Sequence, residues 1–297
     1  MRVFVTGATG FIGSALVKEL IGAGHQVIGV YRSDDKAKAL AAAGDEAYRG
    51  SIDDPDSLKD GAARSDGIIH LAFNHDFSQF AANCETDRRV IAALGSVLAG
   101  SDRPLIVTSG TAIANVAPGA LAIEDAPAIP SSDFPRAASE EATAAAAARH
   151  GVSASVVRLP QVHDPERQGL ISPWIAIARE KGVLAYIGEG RNRWPAAHIS
   201  DVARLYRLAI EKSEPGAIYN AVGEEGVPAR GIAETIGRRL NVPVKSITPE
   251  EAGGYFGWLA HLAARDMPAS SELTQKRLGW RPTGPGLIAD LERLPVS

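Results

Sequence analysis

The sequence predicts an α/β fold: a doubly wound parallel sheet followed by a smaller C-terminal domain. Three observations predict it. Short apolar strands alternate with helical stretches through the first half, which buries a parallel sheet between two helical layers. A glycine-rich turn follows the first strand at once. After Leu159 the rhythm becomes less regular, and Trp194, Trp258 and Trp280 lie in this later half.

The expected strands are 3–6, 26–31, 67–72, 105–109 and 154–159, each a short apolar run. Helical patterns fall between them at 11–23, 35–43, 56–62, 86–99 and 139–150. Later, helices are expected at 173–181, 200–212, 230–240, 249–264 and 271–278, with a strand near 217–222. Pro282, Gly284, Pro285 and Gly286 break the chain near its end. The partition read from this is 1–160 with about 187–226 in the larger domain, and 161–186 with 227–297 in a smaller, substrate-binding one.

Composition narrows the function. The chain has 297 residues, a net charge of −4 and 45% hydrophobic residues. No basic block offers itself to nucleic acid phosphates. No apolar run reaches membrane-spanning length. The single cysteine, Cys84, excludes an internal disulfide and a cysteine-cluster metal site. The first residues form a strand and a Gly turn rather than a signal peptide, so a reducing, cytoplasmic setting is expected. A small-molecule substrate and a monomer or homodimer complete that expectation.

Thr6-Gly7-Ala8-Thr9-Gly10-Phe11-Ile12-Gly13 ends a strand and opens a helix. Gly7 permits the tight turn, Gly10 lets the backbone approach a pyrophosphate, and Gly13 allows close helix-strand packing. Thr9, Phe11 and Ile12 belong to the same helix start, where free N–H groups and the dipole attract phosphate. This is a Rossmann-type dinucleotide fingerprint. The next strand ends Tyr31-Arg32-Ser33, where a carboxylate would hold the ribose hydroxyls of NAD. Tyr31 stands in the acid's place and Arg32 can pair with a 2′-phosphate, with Ser33 and Lys36 beside it. NADP(H) is therefore expected over NAD(H); the alternative is a solvated arginine at a strand end.

Together these segments resemble the short-chain dehydrogenase/reductase superfamily, in its extended and atypical, epimerase/dehydratase-like branch. The resemblance covers nearly the whole chain. Thr6–Gly13 is that branch's cofactor motif. Gly50-Ser51-Ile52 is similar to its adenine-bracketing stretch, with Ser51 where Asp usually stands. His70-Leu71-Ala72-Phe73 resembles the fourth-strand motif, Val107-Thr108-Ser109-Gly110-Thr111 the fifth-strand hydroxyl cluster, and Arg158-Leu159-Pro160-Gln161-Val162 the loop over the nicotinamide. His198-Ile199-Ser200-Asp201 resembles a segment closing the substrate site. The resemblance implies cofactor contacts from Ser51, Ile52, Leu71, Ala72, Phe73, Asn83, Thr108, Arg136, Leu159, Pro160 and Val162.

The family's Tyr-x-x-x-Lys pair is missing: none of the six tyrosines has Lys four residues later. Arg136 falls in the Lys place and Ser132 in the Tyr place. Candidate catalytic residues are therefore Ser109 and Thr111, which can polarise a carbonyl, Arg136 as a fixed charge, and His163 as proton donor, with His75 or solvent as alternatives. His70 reads as structural. No His and carboxylate residues fall at metal-ligand spacing on one helix. The aromatic residues Trp194, Phe256, Trp258 and Trp280 read either as pocket wall or as core, at least two of them as core. The expected function is an NADP(H)-dependent oxidoreductase moving hydride to or from a carbonyl or alcohol of a small organic molecule. The alternatives are a sugar-nucleotide epimerase or dehydratase, and a non-catalytic NADP(H)-binding redox sensor.

Overall fold

The computed structural model describes residues 1–33, 35 and 46–295. The expected helix at 35–43 and Lys36 fall, Asp35 apart, outside the described residues. Seven parallel strands form the main sheet: β1 (Arg2–Thr6), β2 (Gln26–Tyr31), β3 (Glu46–Arg49), β4 (Gly67–His70), β5 (Pro104–Gly110), β6 (Ser153–Leu159) and β10 (Ile218–Asn220). Their order is β10-β6-β5-β4-β1-β2-β3, the doubly wound order in which the chain reverses direction at β1. Thr6 pairs with His70 and Ser109 with Arg158, so the functional strand ends meet at one edge.

Strand alternation explains the two helical layers. Val3 and Val5 face one cluster with Leu16, Leu20, Leu205 and Tyr206, from the helices Phe11–Gly22 and Ile199–Lys212. Phe4 faces the other with Val90, Ile91 and Leu94 of the helix Phe80–Val97 and Ala142 of Ala138–His150. Successive strand residues point to opposite faces, so an almost uniformly apolar strand is what a doubly covered sheet requires.

Two smaller sheets follow. β7 (Gln161–His163), β9 (Arg193–His198) and β11 (Glu224–Pro228) form one, and β8 (Leu184–Ile187) pairs with β12 (Val244–Ile247) in the other. A separate core of Trp174, Trp194, Phe256 and Leu259 gathers the helices Ile171–Lys181 and Ala229–Leu240 onto these strands. Trp280 returns to the larger body, its indole N–H donating to Asp201 O at 2.9 Å.

Three expected helices differ. The one expected at 56–62 is a 3-10 turn at Pro55–Leu58 followed by a short helix, Lys59–Ala63. The one expected from residue 86 begins at Phe80, because a short turn at Phe77–Gln79 leads into it and the Asp76 carboxylate caps that turn through Ser78 N at 3.0 Å. The one expected at 249–264 is broken into Ala252–Phe256, a turn at Gly257–Leu259, and Ala260–Ala263. Gly257, at φ +55, provides the left-handed step that interrupts it.

Candidate active site

A cleft of about 1530 Å³ opens at the C-terminal ends of β1, β4, β5 and β6, where doubly wound sheets bind their ligands. Its floor is the glycine turn. Gly7 takes φ +71, and a Cβ there would lie 2.9 Å from Ala72 N. A Cβ on Gly13 would meet Gly7 O at 2.0 Å, so only glycine lets the helix approach the turn. Gly10 N–H closes the turn onto Gly7 O at 2.9 Å. Gly10 is also the helix N-cap, with no side-chain cap, which leaves the first N–H groups free toward the cleft. Arg32 and Ser33 line the same cleft from the end of β2, both exposed. A bare N-terminus, a glycine where backbone must approach, and a cation at the second strand fit a nicotinamide dinucleotide.

Most of the expected contacts converge there. Gly7, Thr9, Gly10, Phe11, Ile12, Gly13, Arg32, Ser33 and Ile52 line the cleft, with Leu71, Ala72, Phe73, Thr108, Arg136, Leu159, Pro160 and Val162. Ser109 and Thr111 line it too. Four expected residues do not. Tyr31 packs against the sheet's apolar core. The Ser51 hydroxyl turns to Asp53 at 3.2 Å. The Asn83 amide donates to Asp76 O at 2.8 Å, occupying it in the loop before its own helix. His163 is fully buried, its Nδ1 on Asp290 Oδ2 at 2.7 Å; the expectation that it faces a nicotinamide is corrected, because the Asp290 pair draws the ring into the interior. Ser132 also lies outside the lining, its hydroxyl on Asp133 at 3.0 Å.

Beneath the cleft runs a continuous polar chain. Thr6 Oγ1 accepts Leu71 N–H and Ala72 N–H, each at 3.2 Å, and donates to His70 Nδ1 at 2.7 Å. His70 Nε2–H donates to Asp87 Oδ1 at 2.9 Å. The other Asp87 oxygen accepts from Arg136 Nη1 at 2.9 Å and from the Ser139 hydroxyl. Arg136 Nη2 donates to Thr108 O at 3.0 Å, and Nη1 also reaches Ser139 Oγ. Burial pushes the Asp87 carboxyl up, but the hydrogen bonds from His70 and Ser139 and the charge of Arg136 hold it at about 2. Asp87 therefore stays ionised and fixes Arg136, whose guanidinium lies 4.3 Å from the Phe73 ring centre. The Thr108 hydroxyl is occupied by His70 O and Tyr206 OH.

Two hydroxyls remain for chemistry. Ser109 Oγ is buried with no partner among the described residues. Thr111 Oγ1 has only a long contact to Leu159 O at 3.4 Å. An unpaired buried hydroxyl is costly, and Ser109 Oγ, almost wholly shut off from solvent, is one among the described residues. His75 lines the cleft, with one edge in solvent and packed aromatic surface behind it; that desolvation and the nearby Arg136 charge lower its pKa. No cluster of three or more metal-ligating residues occurs among the described residues. No helix among them is long and apolar enough to cross a membrane.

Sequence reasoning missed Asp87. Its signal was a charged residue between Cys84 and Val90 on the helix's apolar face, and both neighbours are indeed buried with it. Also missed were Phe77, Phe80 and Phe134, and Arg167, whose guanidinium sits 5.9 Å from the Phe11 ring at the turn. Of the later aromatics, Trp194, Phe256 and Trp280 are core while Trp258 faces the cleft.

Known proteins resemble this chain throughout its length. An uncharacterised Schizosaccharomyces pombe protein is 49% identical over 98% of this chain and 98% of its own. More distantly, the UDP-glucose 4-epimerase of Streptomyces lividans is 27% identical, over 95% of this chain and 92% of its own. The 2-alkyl-3-oxoalkanoate reductase of Stenotrophomonas maltophilia is 29% identical, over 82% and 77%. The dTDP-glucose 4,6-dehydratase DesIV of Streptomyces venezuelae, solved with NAD and TYD, superposes with a TM-score of 0.77 at 20% identity, covering 99% of this chain and 95% of DesIV; it shares the fold. Residues 3–222 match one family profile, and by that match the chain belongs to the NAD-dependent epimerase/dehydratase family.

Proposed function

We propose that the protein is an NADP(H)-dependent reductase of small carbonyl compounds. The observation that carries this reading is the unpaired Ser109 hydroxyl beside Thr111, at the strand end below a charge-fixed Arg136. NADPH would supply hydride to the carbonyl carbon, the C=O π pair moves to oxygen, and a proton completes the alcohol, leaving NADP+. Ser109 and Thr111 donate hydrogen bonds to the carbonyl oxygen. Arg136, held by Asp87, adds a fixed positive field as charge grows on that oxygen. It does not deliver the proton, since a guanidinium does not give one up near neutrality. His75, with its lowered pKa, is mostly neutral at pH 7. The proton therefore comes from solvent, relayed through the hydroxyls.

This arrangement suits reduction better than epimerisation. An epimerase must first remove a proton from a substrate alcohol, which calls for a positioned base. Asp87 is a buried anion already committed to Arg136, Ser139 and His70. Arg32 and Ser33 at the end of β2 support a 2′-phosphate.

The test is paired. NADPH and NADH are titrated by fluorescence, then NADPH consumption is followed with a panel of aldehydes and ketones. NADPH binds more tightly, and Arg32→Ala loses roughly 10- to 100-fold of its affinity with little change for NADH, the range for a charged hydrogen bond. Equal affinities in the unaltered protein overturn the NADP(H) reading; tight binding with no carbonyl consumption favours the sensor.

A further inference from the structure

Resting on that reductase reading, we infer that the substrate end of the cleft takes a neutral, flat, aromatic carbonyl compound rather than a nucleotide sugar. Part of the cleft wall is a chain of rings. Phe73 meets Phe80 edge-on at 6.4 Å, Phe80 meets Phe134 at 6.0 Å and stacks with Phe77 at 5.7 Å. Phe77 in turn lies on Trp258, with centroids 4.2 Å apart and planes 12° from parallel. Those residues come from three segments that the sequence keeps far apart, and all of them line the cleft.

Trp258 is the telling residue. The other three tryptophans are buried to 2% exposure or less, while Trp258 is 49% exposed and lines the cleft. An indole held flat against one ring, with so much surface left open, is a stacking platform for a second flat ring. The broken helix is what presents it, since Gly257 turns the chain immediately before it.

Charge argues in the same direction. Among the described residues, four charged side chains line the cleft: Arg32, Asp76, Arg136 and Arg167. Arg32 belongs to the β2 end and Arg167 to the glycine turn, over Phe11. Arg136 is committed to Asp87 and Thr108 O. That leaves Asp76 near the rings, an anion that would repel a diphosphate. Arg265 lies 5.9 Å from the Phe134 ring but does not line the cleft. A nucleotide sugar needs a cation pair for its pyrophosphate, and the ring-lined end provides none.

The experiment separates binding from turnover. The intact protein, saturated with NADP+, is titrated calorimetrically with 2-naphthamide, a flat and non-reducible probe, and with UDP-glucose. NADPH consumption is then compared for 2-naphthaldehyde and propanal. Naphthamide should bind and UDP-glucose should not, and kcat/KM should favour naphthaldehyde. Trp258→Ala should weaken naphthamide roughly tenfold and reduce the naphthaldehyde-to-propanal ratio by a similar factor, the scale of one lost ring contact. Trp258→Leu keeps apolar bulk without the ring face and should lose part of the same preference, whether or not the Ala variant folds. UDP-glucose binding as tightly as naphthamide overturns the inference. So does a preference for propanal without naphthamide binding, which leaves the reductase reading standing. Naphthamide binding with neither aldehyde consumed upholds the aromatic site and removes the reductase reading.

Discussion

Among the described residues, two buried histidine-carboxylate pairs of nearly the same length do opposite things. His70–Asp87 spans 2.9 Å under the cleft, and His163–Asp290 spans 2.7 Å between β7 and the helix Leu287–Leu291. In the first, every valence on the path from Thr6 to Arg136 is used, and the surplus negative charge holds a cation at the cleft. In the second, a carboxylate can only accept, so His163 Nδ1 carries the proton, while His163 Nε2 and Asp290 Oδ1 have no partner among the described residues. His198 Nε2 stands 3.8 Å from the same Asp290, too far for a full hydrogen bond. The second pair pins the helix Leu287–Leu291 to β7 and lies outside the cleft lining. Distance does not distinguish a pair that positions chemistry from one that fastens an element. The partners beyond the pair do.

The largest effect should come from Asp87. Removing it leaves His70 without its partner and Arg136 a partly buried, uncompensated cation, a change worth about 3–5 kcal/mol in other proteins. Asp87→Ala should lose that much stability in urea unfolding and weaken NADPH binding in the same variant. The pH dependence has a definite sign. The folded pKa, about 2, lies below the unfolded value of about 3.9. The contribution is therefore complete above about pH 4 and is lost as pH falls toward 2. Asp87→Ala should flatten that acid limb. A loss below about 1 kcal/mol would mean the chain of hydrogen bonds does not act as a unit.

His163→Ala should cost less, about 1–3 kcal/mol from the unpaired Asp290 and the lost packing, and leave NADPH affinity within about twofold. Burial lowers the His163 pKa, against the opposing pull of Asp290. Its folded pKa then lies below the unfolded value of about 6.5, so this group's contribution is complete above that value and erodes as pH falls below it. That erosion should be missing in the variant. A substantial fall in NADPH affinity would return this histidine to the cofactor site and erase the contrast between the pairs.

The sheet and the phosphate turn were legible because they are local. Glycine positions, strand alternation and helix starts are written within a few consecutive residues, and five expected strands recur with ends shifted by at most two residues. The short strands β7, β8, β9, β11 and β12 were not legible; each is three to six residues long and carries no alternation long enough to stand above its surroundings. Arg136 was found from its spacing to Arg158, yet its fixing agent was not, since Asp87 lies 49 residues away in sequence. His163 misled for the same reason in reverse: it follows a cleft loop, and only the partner 127 residues later takes it inward. Trp258 read as pocket or core alike, and the break at Gly257 decided between them.

The smallest effect offers the sharpest test of whether the two pairs are independent. Cys84 lies three residues before Asp87 on the same helix, buried, with its thiol pushed up by burial to about 11. A thiol reagent at neutral pH needs both access and thiolate, so Cys84 should label only when the Asp87 region opens. Ser139→Ala removes one hydrogen bond to Asp87 and one contact to Arg136, worth about 1 kcal/mol net. If labelling follows local opening, that variant should react about fivefold faster, by the exponential of that energy over RT. His163→Ala destabilises the other body by more, yet should leave the Cys84 rate within about twofold, because local opening under the cleft does not break the Asp290 pair. Labelling that accelerates in His163→Ala in proportion to its global loss would show one cooperative unit. The two pairs would then differ in position only, and the claim that one holds the cleft while the other holds the fold would fail.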